Sequence, residues 1–98
     1  MTWSTPKSLS FAASGDNVAI AGVPGKRIRI HGIDLALASV TTVTVKNGAT
    51  ALTGAMTLNG LSKPLQEAPH YVCDIGADFI VALGGTVQCS GEVWYRQD

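Results

Sequence analysis

The chain has 98 residues, with seven basic and seven acidic side chains and 46 % hydrophobic residues, which provides for one domain with a modest core. That hydrophobic content argues against global disorder, and zero formal net charge argues against a binder that works by neutralising phosphates. Charged residues make up only 14 %, against about 25 % in an ordinary soluble domain, so a surface rich in Thr, Ser, Ala and Gly is expected, and such a surface tends to associate.

Hydrophobic residues alternate with polar ones along most of the chain, which is the period of a half-buried strand. In chain order, Leu9 and Phe11 alternate with Ser8 and Ser10, and Val18 and Ile20 with Asn17 and Ala19. Pro24-Gly25 has the composition of a type II turn. Ile28 and Ile30 then share even parity, whereas Ile33, Leu35 and Leu37 share odd parity. A strand changes faces only at an inserted residue, so a bulge or corner is expected at His31-Gly32, letting one long strand serve two sheets. Val43 and Val45 lead into Asn47-Gly48, a strong short-hairpin signal.

Leu52, Ala55 and Met56 have helical spacing, but Gly54 and the neighbouring threonines weaken a helix there. Asn59-Gly60 reads as a turn, the segment Leu61–Pro69 as a long loop, and Gly84-Gly85 as a second two-residue hairpin. The strands expected are about 7–12, 17–22, 26–37, 41–46, 49–57, 71–75, 78–83 and 86–96. Seven to eight short strands predict an all-β, single-domain antiparallel β-sandwich, jelly-roll-like in type. Residues 1–13 form an N-terminal arm and first strand, and residues 14–98 the body of the sandwich, within one domain overall.

Few residues have the spacing of a reactive site. Cys73 and Cys89 are the only thiols. Cys89 shares the inward parity of Val87 and Val93, so buried reduced thiols are expected, with a Cys73–Cys89 disulfide or a His70–Cys73 metal pair as alternatives. Asp74 and Asp78 bracket Ile75-Gly76-Ala77 as turn-capping carboxylates, and Asp16 is a turn residue. The sequence lacks a nucleophile elbow, a phosphate loop and a dinucleotide fingerprint. No catalytic residue, metal ligand or cofactor is assigned, and no enzymatic activity is expected.

The candidate interface residues are Trp3, Arg27, Arg29 and Trp94. Arg27, Arg29 and His31 form a basic stripe on one strand face, either solvated or set against an acidic partner. Trp94 has the parity of Gln88, Ser90, Glu92 and Arg96 on the polar face of the last strand. It is either an interface anchor or is packed under a covering loop such as Leu61–Pro69. Trp3, in the terminal arm, either docks back on its own domain or reaches a neighbour.

Several segments carry a resemblance. They are Gly15-Asp16-Asn17-Val18-Ala19-Ile20-Ala21, Pro24-Gly25-Lys26-Arg27-Ile28-Arg29-Ile30, Val43-Thr44-Val45-Lys46-Asn47-Gly48, Leu52-Thr53-Gly54-Ala55-Met56 and Gly91-Glu92-Val93-Trp94-Tyr95. From about Ser14 onward the chain resembles small all-β structural proteins of tailed bacteriophages, similar to head decoration (cement) proteins, with related modules in tail fibres or spikes. The resemblance implies a homo-oligomer, most often a trimer, bound to the major capsid protein on the outside of the head shell. No nucleic-acid or membrane partner is expected, because the net charge is zero and no apolar run approaches the roughly 20 residues of a membrane-spanning helix. Assembly in the bacterial cytoplasm fits a start, Met1–Lys7, that lacks the apolar stretch of a secretory signal. The alternative it implies is a carbohydrate- or receptor-binding module of a fibre or spike.

Overall fold

A computed structural model describes residues 4–98. The described residues form eight antiparallel strands and no helix: β1 (Thr5–Phe11), β2 (Gly15–Ile20), β3 (Ile28–Asn47), β4 (Thr50–Ala51), β5 (Met56–Lys63), β6 (Tyr71–Val72), β7 (Phe79–Leu83) and β8 (Cys89–Gln97). All belong to one curled sheet. Its organising element is β3, 20 residues long, whose two halves pair with different neighbours.

Residues 28–37 of β3 pair with β8, which pairs in turn with β1, while the other edge of this half takes residues 60–63 of β5 and the short β6. Residues 43–47 of β3 pair with β7, which pairs with β2, and the opposite edge takes residues 56–58 of β5 and the short β4. The two half-sheets thus run β1-β8-β3-β5 and β2-β7-β3-β5. One core lies between them: Leu9, Ile28, Ile30, Ile33, Leu35, Cys89 and Val93 from the first half, and Ile20, Val43, Val45, Phe79, Val81 and Leu83 from the second. Burying the four β3 residues Ile28, Ile30, Ile33 and Leu35, each at most 3 % exposed, contributes on the order of 10 kcal/mol before chain entropy is subtracted.

The parity switch in β3 is resolved by an extra residue. Ile30 is paired with Tyr95 and Gly32 with Trp94, so His31 has no partner of its own on β8. The bulge returns Ile33 and Leu35 to the core face that Ile28 and Ile30 had occupied. Leu37 packs against the same core.

The sequence predicts separate strands at 26–37 and 41–46, but β3 runs continuously through the corner. There Ala36 pairs with Gly60 and Thr41 with Leu58, leaving the residues between them opposite Asn59 alone. The backbone stays extended while the sheet turns, so no turn sequence marks the bend. For the same reason Asn59-Gly60, expected as a turn, lies inside β5, and Leu61–Lys63 belongs to that strand rather than to the following loop.

The expected 49–57 strand is interrupted. Leu52 and Thr53 both donate backbone N–H bonds to Val45 O (2.7 and 3.3 Å), and Thr53 Oγ1 accepts the Val45 N–H at 3.2 Å. A side chain thereby replaces a ladder bond, and the chain leaves the sheet until Met56.

One turn follows its sequence signal and a second is displaced from it by one residue. Lys26 N donates to Val23 O at 3.0 Å around Pro24-Gly25, with Gly25 at φ +80° as a type II turn requires. The hairpin after β3 forms one residue late. Asn47 pairs with Thr50 and Gly48 takes φ +57°, so the loop is Gly48-Ala49. The Gly84-Gly85 hairpin is not formed. β7 and β8 lie in different half-sheets, and Gly84 N donates instead to Thr42 O at 2.9 Å.

Candidate functional site

The outward face of the first half-sheet carries the residues that the sequence singles out. Val93 and Cys89 point into the core from β8, so Ser90, Glu92, Trp94 and Arg96 project outward. Directly paired residues share a face, so the register arranges the outward side chains in rows across the strands. The first row joins Arg96 on β8, Arg29 on β3 and Val72 on β6. The second joins Pro6 on β1, Trp94 on β8 and Gly32 on β3. Ser8, Glu92, Asp34 and Ser62 form the third, and Ser10, Ser90, Ala36 and Gly60 the fourth.

The apolar row depends on the loop after β5. Gln66 N donates to His31 O at 3.0 Å and His70 N to Ile30 O at 2.7 Å, so residues 64–70 are held along the edge of β3 beside the bulge. His31 Nδ1 lies 3.1 Å from Gln66 O, and the imidazole is buried at 2 % exposure. His31 is therefore a structural residue under the loop and not part of a basic stripe. A Cβ on Gly32 would meet Trp94 Cε3 at 3.1 Å and Leu65 Cα at 3.0 Å. Trp94 thus leans over Gly32 beside Leu65, half-buried, while Leu65 remains exposed. Of the two sequence readings of Trp94, the structure shows the packing one, since the indole lies beside the loop, and it leaves the residue on the outward face.

Charge on this face is segregated. Arg29 and Arg96 are directly opposed, and the Asp98 carboxylate bridges them, pairing with Arg29 Nη1 and, at 2.8 Å, with Arg96 Nη2. Asp34 and Glu92 are also directly opposed, and neither side chain has an ion pair or hydrogen bond among the described residues. Like charges opposed in this way destabilise an antiparallel pair. Arg27, half-buried, lies before β3, where its backbone exchanges two hydrogen bonds with Asp98, and its buried Nε has no hydrogen-bond partner among the described residues. Trp3 lies outside the described residues. The sequence reading passed over Asp34 and Glu92, because their opposition follows from the register of β3 on β8, which no single-strand pattern encodes.

The thiols are free and buried. Cys73 N donates to Ile28 O, whereas Cys89 pairs with Leu37. Ile28 and Leu37 lie nine residues apart on β3, on the order of 25–30 Å along the strand, so a disulfide between these cysteines has no workable geometry. Burial, together with the neighbouring Asp74 and Asp78 carboxylates, pushes the Cys73 thiol up to about 11, and burial raises that of Cys89. The His70 ring is engaged by Pro64 O, 2.8 Å from Nε2, and among the described residues no three His, Cys, Asp or Glu side chains gather at one point. Asp78 does not cap the turn that it brackets: its Oδ1 accepts the Gly22 N–H at 2.6 Å, tying this loop to the segment between β2 and β3.

No protein-family model, curated protein or solved structure matches the chain.

Proposed function

We propose that this chain is a non-enzymatic structural protein of a phage virion, a homo-oligomeric decoration (cement) protein that binds the major capsid protein on the outside of the head shell and stabilises it. The reading rests on the resemblance carried by the strand and turn segments from Ser14 onward, and on one structural observation that supports it. Arg29 and Trp94, two of the four candidate interface residues, lie on one outward sheet face built from four strands. A broad strand-borne face suits contact with another protein surface better than capture of a small molecule in a cleft.

The strand order supports the finer fold assignment. In the half-sheets β1-β8-β3-β5 and β2-β7-β3-β5, β1 and β8 hold the places that their chain neighbours β2 and β7 hold in the other, while β3 and β5 run through both, an arrangement akin to the interleaving of a jelly roll. Bound copies would stabilise the shell by mass action, because they bind the assembled state and not the dissociated one.

The test is cosedimentation of the protein with purified phage shells, paired with the heat stability of those shells. Wild-type protein is expected to bind and to raise the shell melting temperature, and Trp94→Ala to weaken shell binding or self-association. A protein that ignores shells but retains a glycan on an array belongs instead to a fibre or spike module.

A further inference from the structure

The outward face of the first half-sheet is self-complementary, and we infer that its occupant is a second copy of this chain, seated face to face about a two-fold axis. The inference deepens the oligomer part of the proposed function but does not depend on the phage assignment.

On β8, Glu92, Trp94 and Arg96 are evenly spaced, with two residues, or about 7 Å, between successive rows. On β3 the extra residue at His31 keeps the pattern in step, so that Arg29 opposes Arg96 while Asp34 opposes Glu92. An apolar row containing Pro6, Trp94 and Gly32, with Leu65 beside it, therefore lies midway between a basic row and an acidic row. A two-fold axis along the apolar row reverses the strand direction of the second copy. It lays the basic row of each copy over the acidic row of the other, twice, and brings Trp94 against its symmetry mate. Patches that map onto themselves in this way make isologous contacts, which close at two copies. The resemblance implies three copies, but a three-fold ring needs two different patches on separate faces.

The unpaired acids are the strongest sign of a partner. Asp34 and Glu92 repel each other within one chain, with only Ser8 and Ser62 beside them in the row. The two arginines share a single carboxylate, so their row keeps a net positive charge. Stacking two copies supplies each acidic row with cations and covers Trp94 and Leu65. Four strands by four rows give a face of about 400 Å² per copy, at the low end of interface sizes. The association is therefore weak, in the micromolar range, and sensitive to salt.

Sedimentation equilibrium of the full chain from about 5 to 500 µM covers this range. The mass is expected to rise with concentration from 10.2 kDa towards twice that value, and the rise to shrink in high salt. Asp34→Lys with Glu92→Lys, and separately Arg29→Glu with Arg96→Glu, should each leave a monomer, while an equimolar mixture of the two variants should associate again. If a charge-reversed chain fails to fold by circular dichroism, Asp34→Asn with Glu92→Gln takes its place, and self-association is expected to weaken about tenfold and lose its salt dependence. A wild-type monomer at every concentration, a limiting mass of three chains, or variants that associate like the wild type would each overturn the inference. No shell is involved, so failure here is separate from failure of shell binding.

Discussion

Gly32 of β3 stands directly opposite Trp94 of β8, and the absence of a side chain at Gly32 gives the indole and the Leu65 backbone their place on the sheet. A methyl group there would sit 3.0 Å from Leu65 Cα and 3.1 Å from Trp94 Cε3, so Gly32→Ala should displace the 64–70 loop at a cost of about 1–2 kcal/mol. Gly91 is the sterner case, because its Cβ would fall 1.9 Å from Asp34 O and 2.9 Å from Leu35 Cα, both backbone atoms. Gly91→Ala should part the β3–β8 ladder and cost about 3 kcal/mol or more. Urea unfolding of the two variants checks the order, and equal costs would contradict it.

Stability should fall as pH rises from about 9 to about 11. Below pH 9 the Cys73 thiol is neutral in both states. Above it the unfolded chain releases the proton, while the buried folded thiol holds it up to about 11. The unfolded state then binds fewer protons, so the loss approaches about 2–3 kcal/mol across that window. Cys89 and Tyr71, also raised by burial, act in the same direction. Cys73→Val should flatten the slope measured by urea midpoints at pH 8, 10 and 11. Reductant and chelator should leave the melting temperature unchanged at neutral pH, and a fall of several degrees with either would contradict buried free thiols.

Asp98 holds two opposed arginines at once, so Asp98→Asn should expose the repulsion between Arg29 and Arg96. The groups are substantially solvated, which limits the cost to about 0.5 kcal/mol at low salt. The difference from wild type should vanish near 1 M salt, where charges are screened within about 3 Å. A salt-independent loss would point to packing rather than charge.

Thr53→Val removes the oxygen that accepts the Val45 N–H while keeping the side-chain shape. Val45 is fully buried, and the orphaned donor should cost about 1–3 kcal/mol. Hydrogen exchange at the Val45 amide should quicken ahead of its neighbours on β3, whereas unchanged protection would mean that the ladder re-forms without the threonine.

Much of the fold was legible because strand burial writes itself as a period of two. The change of parity between Ile30 and Ile33 announced the bulge at His31-Gly32, since only an inserted residue keeps both isoleucines in one core. Pro24-Gly25 marked its turn because a positive φ at the second position selects glycine. The sequence also picked out Arg29 and Trp94 as outward residues, because side-chain direction is local.

Strand partners were not legible. Gly84-Gly85 looked like a hairpin, yet β7 and β8 separate into different half-sheets, because pairing depends on which edges the curled sheet leaves free. The corner of β3 carries no turn residues, since the backbone bends there while remaining extended. His31 had the parity of a surface base until the bulge and the 64–70 loop enclosed it. Residue types and alternation thus settled most of the buried set, but not His31, nor Val18, which is exposed where Ala19 is buried beside the register shift in β2. The opposition of Asp34 to Glu92 and of Arg29 to Arg96 is a matter of register between distant strands, and only long-range hydrogen bonding in the folded chain sets that register.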